Sequence, residues 1–143
     1  IGVEHRIEYV ETLKGVPYYN DSKATNPDST IKALEAFVGH IILIAGGRDK
    51  NTDLTEMMQL IKEKTDALIL LGEAKARFLQ AAQKAGVSNI YEVTSLEEAV
   101  NKAYKLATEP QVVLLSPACA SYDMFNNFPE RGNCFKKLVV NLK

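Results

Sequence analysis

Short apolar runs recur along the chain at Ile41–Ala45 (IILIA), Ala67–Leu71 (ALILL), Ile90–Val93 (IYEV) and Val112–Leu115 (VVLL). All but Ile90–Val93 are apolar throughout and do not alternate. That predicts strands covered on both faces, as in a parallel sheet under helices. Helical spacing fills the gaps. Asn26 with Pro27 reads as an N-cap and first helical position, after which Ile31, Leu34, Phe37 and Val38 share a face and Gly39 can stop the helix. Leu54, Met57, Met58 and Ile61 form a second stripe, and Ala74, Phe78, Ala81, Ala82 and Ala85, closed by Gly86, form a third. Ser95 with Glu98 suggests a capping box opening a helix that carries Leu96, Ala99, Val100 and Ala103 and ends before Pro110. A last helix is expected from about Arg131, with Phe135, Leu138, Val139 and Leu142 inward.

The front end has a different pattern. Arg6–Leu13 and Val16–Asn20 read as two strands around Lys14-Gly15, a hairpin-like pair in which Pro17 favours an edge position for the second strand. The sum is an α/β three-layer, Rossmann-like domain with a mostly parallel sheet. It lacks both the G-x-G-x-x-G fingerprint and a P-loop.

Composition narrows the picture. With 143 residues the chain fits one domain. Lys and Arg number 17 against 18 Asp and Glu, so the basic excess of a dedicated nucleic-acid binder is missing. No apolar run approaches the ~18 residues of a membrane span, and the charged start IGVEHRIEYV is no signal peptide. Two cysteines, Cys119 and Cys134, make no disulfide framework and fit a reducing cytosol. Two histidines and two cysteines without paired spacing predict no metal site. A start at Ile1 is what a piece of a longer protein, or a processed N-terminus, would show. A monomer is expected.

In an open α/β sheet, ligands bind beyond the carboxyl ends of the strands. The residues there are Asn20–Asn26, Gly46–Lys50, Gly72-Glu73 and Ser116–Ser121. Gly46-Gly47 before Lys50 is either a plain βα turn with a solvated lysine or a loop that brings a cation to a carboxylate or phosphate. Asp21–Thr25 precedes a helix N-terminus, where anions are favoured. Asp21 could accept from a ribose hydroxyl, Lys23 could meet a phosphate and Thr25 could donate to a carboxylate; helix capping is the plainer use, and Asn26 alone suffices for it. Ser121 reads better as a donor to an anionic ligand than as a nucleophile. Cys119 could be an activated thiol at a helix start, but a buried structural cysteine is commoner, and His40 stands at the wrong rim to pair with it. Tyr122, Phe125 and Phe128 read as packing of the last helix on the sheet, and Tyr9, Tyr18 and Tyr19 as core or edge packing of the front strands.

His5-Arg6, Asn20–Thr30 (NDSKATNPDST), Ala45–Lys50 (AGGRDK) and Leu115–Gly132 (LSPACASYDMFNNFPERG) together resemble one family, in order and across essentially the whole chain. It is the C-terminal domain of the D-glutamate-adding Mur ligases, the UDP-N-acetylmuramoyl-L-alanine:D-glutamate ligases. The resemblance implies a cytoplasmic bacterial enzyme of peptidoglycan synthesis with three domains, of which the N-terminal UDP-sugar domain and the central domain, holding ATP and Mg2+, are absent from this chain. It implies that ATP phosphorylates the alanyl carboxylate of UDP-N-acetylmuramoyl-L-alanine and that the amine of D-glutamate attacks the acyl phosphate. Matched motif by motif, Thr25, Lys50, Ser121, Tyr122 (through its backbone) and Phe128 would bind D-glutamate, while Arg6, Asp21 and Lys23 would reach the nucleotide. The domain alone would be inactive. The rival readings are a free-standing α/β module that binds an acidic amino acid or a nucleotide, and a hydrolase or transferase using Ser121 or Cys119.

Overall fold

The computed structural model describes residues 3–143. The elements run β1 (Glu8–Leu13), β2 (Val16–Asn20), α1 (Pro27–Glu35), β3 (Ile41–Gly46), α2 (Thr55–Lys64), β4 (Thr65–Leu71), α3 (Lys75–Ala85), β5 (Ile90–Glu92), α4 (Leu96–Leu106), β6 (Val112–Leu115) and α5 (Phe128–Val140). They build one sheet in the order β1-β2-β6-β3-β4-β5. Every neighbouring pair is parallel except β1 with β2, the antiparallel hairpin at the edge.

Unbroken apolar runs serve this sheet because alternate side chains feed two separate cores. Ile42, Ile44, Ile69, Val113 and Leu115 point to the face covered by α4 and α5, where they meet Leu96, Val100, Phe135 and Val139. Ile41, Leu43, Leu68, Leu70 and Leu114 point to the other face, against Leu34 of α1, Met57, Met58 and Ile61 of α2, and Phe78 of α3. The sheet is thus pinned from both sides, and its carboxyl-end loops stand on a rigid frame.

Several boundaries differ from the sequence pattern for local reasons. β1 starts at Glu8 and not at Arg6, because His5 and Ile7 take positive φ (66° and 42°) and fold residues 5–7 into a turn. β2 is not an edge strand, since β6 pairs with it through Tyr18–Asn20. Pro17 lies outside that ladder, so its missing N–H costs no hydrogen bond to β6. α1 closes at Ala36, ahead of Gly39. α5 begins three residues before Arg131, at Phe128, because the Asn127 side chain accepts from the Glu130 N–H and Pro129 sits in the first turn. Ser95 caps α4 through the Glu98 N–H, but Glu98 answers Thr94 rather than Ser95.

Candidate functional site

Because β2, β6, β3 and β4 are parallel, the four polar loops emerge along one rim, and the backbone stitches them together. Asp21 N–H donates to the Leu115 carbonyl (2.7 Å), Gly46 N–H to Pro117 (3.0 Å), Arg48 N–H to Ala120 (2.9 Å) and Ala74 N–H to Gly47 (2.8 Å). Gly46 is glycine for a physical reason. Its φ is 121°, and a Cβ there would drive into the Leu71 carbonyl of the next strand. The Gly46-Gly47 pair is therefore a packing requirement of the rim. Lys50 beyond it is exposed and forms no ion pair within 4.0 Å among the described residues, whereas the adjacent Asp49 is tied to Arg77 (3.1 Å).

Arg6, Asp21 and Lys23 lie together. With Ile7, Ser29 and Lys32 they line a recess of about 150 Å³. Asp21 is 3% exposed, and both carboxylate oxygens are engaged. Oδ1 accepts from the Ile7 N–H (3.0 Å), and Oδ2 accepts from the Ser116 hydroxyl (2.7 Å). Burial pushes this carboxyl up from its ordinary value to about 6, against the opposing pull of those hydrogen bonds and of the Arg6 charge. A carboxylate with lone pairs to spare in a pocket rimmed by cations suits a ligand that carries both hydroxyls and negative charge. Whole-ligand pockets typically enclose roughly 300–1,000 Å³, so this recess holds only part of such a molecule.

The other half of the rim is open. Thr25 is half-buried, and its hydroxyl is not needed as a cap, because Asn26 accepts from the Ser29 N–H (2.9 Å). Ser121 is buried at the end of the β6 loop, while Tyr122 beside it is 63% exposed. Tyr122 is therefore not the packing residue that its aromatic neighbourhood suggests; Phe125 takes that place against the core. Phe128 sits at the start of α5, edge-on to the His5 ring at 6.0 Å. Thr25, Lys50, Tyr122 and Phe128 do not line the recess beside Asp21. Of the front tyrosines, Tyr18 is buried, Tyr19 packs on Phe37, and Tyr9 is mostly exposed.

Nucleophile chemistry finds no support at Cys119. Burial drives its thiol up to about 12, so it carries no thiolate at neutral pH. His40 stands at the opposite end of β3, exposed and bonded to Asp66 (3.2 Å).

Pattern reading does not reveal what holds the rim. Arg131 is 4% exposed. Its Nε reaches Ser22 Oγ (2.9 Å), one terminal nitrogen reaches the Ser22 carbonyl (2.7 Å), and the other reaches the Cys119 carbonyl (2.9 Å). One guanidinium thus clamps the loop carrying Asp21, Lys23 and Thr25 to the loop carrying Ser121. The apolar stripe of α5 gives no sign of it, because Arg at a helix start reads as solvated. Ser116, Asn20 and His5 are similarly buried and polar, with Asn20 Nδ2 2.9 Å from His5 Nδ1. The carboxylates of Glu4 and Glu8 and the His5 ring gather close enough to share an ion. The Lys136 ammonium bonds both carboxylates, at 3.0 and 3.2 Å, and so offsets part of their charge.

Known proteins resemble this chain in sequence and in fold. Residues 5–119 match the family model for the Mur ligase, glutamate ligase domain. The chain is 50% identical over 144 aligned residues to the UDP-N-acetylmuramoylalanine–D-glutamate ligase of Caldanaerobacter subterraneus, which covers 99% of this chain and 32% of that protein. Against the enzyme of the same name from Clostridioides difficile the identity is 48%, with the same coverage of both proteins. The chain thus spans about a third of the length of these relatives. Among solved structures, the folylpolyglutamate synthase of Thermotoga maritima superposes with a TM-score of 0.67 at 15% identity, over 99% of this chain and 32% of that one. The UDP-N-acetylmuramate-alanine ligase of the same organism gives 0.66 at 16%, over 99% and 31%. Those two likenesses establish a common fold. With the family model spanning most of the sequence, the chain belongs to the Mur ligase family, as its glutamate ligase domain.

Proposed function

We propose that this domain serves an ATP-dependent ligase that adds D-glutamate to UDP-N-acetylmuramoyl-L-alanine in the bacterial cytoplasm, on the route to peptidoglycan. Its own part is to bind D-glutamate and to complete the nucleotide site. The observation that supports this reading is that the loops after the parallel strands leave along one rim, one of them lining a cation-rimmed recess around the buried Asp21 carboxylate and another carrying exposed Lys50, which has no ion pair among the described residues.

A dicarboxylate needs a cation and several donors. Lys50 supplies the charge, and Thr25, Ser121 and the backbone at Tyr122 supply donors, with Phe128 as an apolar wall. Arg6 and Lys23 spread positive charge over phosphate oxygens, and Asp21 accepts from the ribose. Phosphate activation of the alanyl carboxylate, with Mg2+, belongs to the remaining two thirds of the protein. Closure of this domain on its partners then aims the amine of D-glutamate at the acyl phosphate and excludes water.

In the full-length enzyme, Lys50→Ala is expected to raise the KM for D-glutamate about tenfold to a hundredfold, the worth of one charged hydrogen bond. The KM for ATP should stay within about twofold, because that variant leaves the recess intact. Unchanged D-glutamate kinetics would remove Lys50 from the site.

A further inference from the structure

Arg6 stands on a turn whose own anchors lie elsewhere, on the C-terminal helix. His5 on one side of it is 4% exposed. Its ring rests on Gly132, where a Cβ would fall on the imidazole, and it packs edge-on to Phe128. Glu8 on the other side binds the His5 N–H (3.1 Å), the Asn20 amide (3.0 Å) and the Lys136 ammonium (3.2 Å). Lys136 also takes Glu4 at 3.0 Å, so the carboxylates on both sides of the turn converge on one cation. Asn20 Nδ2 can only donate, so His5 Nδ1 accepts, and the ring proton lies on Nε2, which faces Glu4 at 3.6 Å. The neutral ring is the form that burial favours. The turn then reaches the recess through two backbone bonds, Lys23 N–H to the His5 carbonyl (2.9 Å) and Ile7 N–H to Asp21 (3.0 Å).

We propose that Gly132 and Lys136 of α5 are positioning residues that hold the His5–Glu8 turn so that Arg6 lines the recess with Asp21 and Lys23. Gly132 provides the floor for the His5 ring. Lys136 ties down Glu4 and Glu8 on either side of Arg6, and without it two carboxylates face each other unneutralised. Neither residue lines the recess itself. Their effect on the ligand passes through Arg6, and it rests on the reading of that arginine as a nucleotide contact.

The test uses the full-length enzyme, with Lys136→Met and Gly132→Ala each made in the native and the Arg6→Ala backgrounds. Misplacing a binding group should raise the KM for ATP about threefold to tenfold in Lys136→Met, and more in Gly132→Ala, with the KM for D-glutamate within about twofold. In the Arg6→Ala background Lys136→Met should add nothing. Equal effects in both backgrounds, or both KM values rising together, would overturn the proposal. If Arg6→Ala itself leaves the KM for ATP unchanged, the nucleotide role of Arg6 fails instead. Deuterium uptake by residues 3–9 then decides the anchoring: faster exchange in Lys136→Met supports it, and unchanged exchange overturns it. Lys136→Met carries the test should Gly132→Ala fail to fold.

Discussion

The two halves of the rim are built differently. Around Asp21 the carboxylate and the backbone are pinned: the carboxylate by Ile7 and Ser116, the following loop by Arg131, and the turn that carries the exposed Arg6 side chain by His5, Glu8 and Lys136. Across the rim, Lys50 and Tyr122 project from the surface, and Thr25 is only half-buried. A site that is rigid on one side and open on the other is a half-site. Affinity at the pinned side gains from preorganisation, while the open side needs a second wall to desolvate its charge.

The largest effect should come from breaking the clamp common to both halves. Arg131→Ala removes three hydrogen bonds from a buried guanidinium and strands the Ser22 and Cys119 carbonyls, which should cost about 3–5 kcal/mol in urea or thermal unfolding. Arg131→Lys should recover only part of this, because an ammonium cannot span three partners with the geometry of the planar fork. In a variant that still folds, the KM values for both ligands should rise together, unlike the one-sided effects of Lys50→Ala or Lys136→Met.

Acid should separate the halves. Asp21 has a folded pKa of about 6 against an ordinary value of 3.8, and burial is the main cause. Between those values the folded state binds the extra proton. Its contribution to stability therefore rises as pH falls from about 6 to about 4, by up to about 3 kcal/mol, and is lost again as pH rises through 6. A protonated Asp21 is a poorer acceptor for ribose, so the KM for ATP should climb as pH drops through 6. Asp21→Asn should abolish that step in a pH profile. The smallest effect is expected at Tyr122→Ala. Its side chain is 63% exposed and its assigned contact is backbone, so stability should move by less than about 0.5 kcal/mol and the KM for D-glutamate by less than about threefold.

The contrast also explains what the sequence made legible. The buried strands and the three helices of one face follow from apolar runs and 3.6-residue stripes, because packing forces those patterns. The rim loops could be located because parallel strands must end together. Lys50 is singled out by the family resemblance alone, because spacing reads equally as a plain turn with a solvated lysine. Arg131, His5 and Gly132 were illegible as a group. Their meaning lies in contacts between segments more than a hundred residues apart, such as Arg131 with Ser22. A helical glycine or a lone arginine has no local signature of such a partner. The start of α5 was hidden for a related reason: Tyr122–Asn127 has loop composition, and only the Asn127 cap marks the boundary. The hairpin position of Pro17 became clear only once the length of the β6 ladder was known.

The half-site account is tested most directly by calorimetry with D-glutamate on this chain alone and on the full-length enzyme loaded with a non-hydrolysable ATP analogue and Mg2+. Measurable binding to the loaded full-length enzyme, with none to the isolated chain at millimolar D-glutamate, is the expected result. Comparable affinity in the two would mean that the open ledge is a complete site, and would contradict the account.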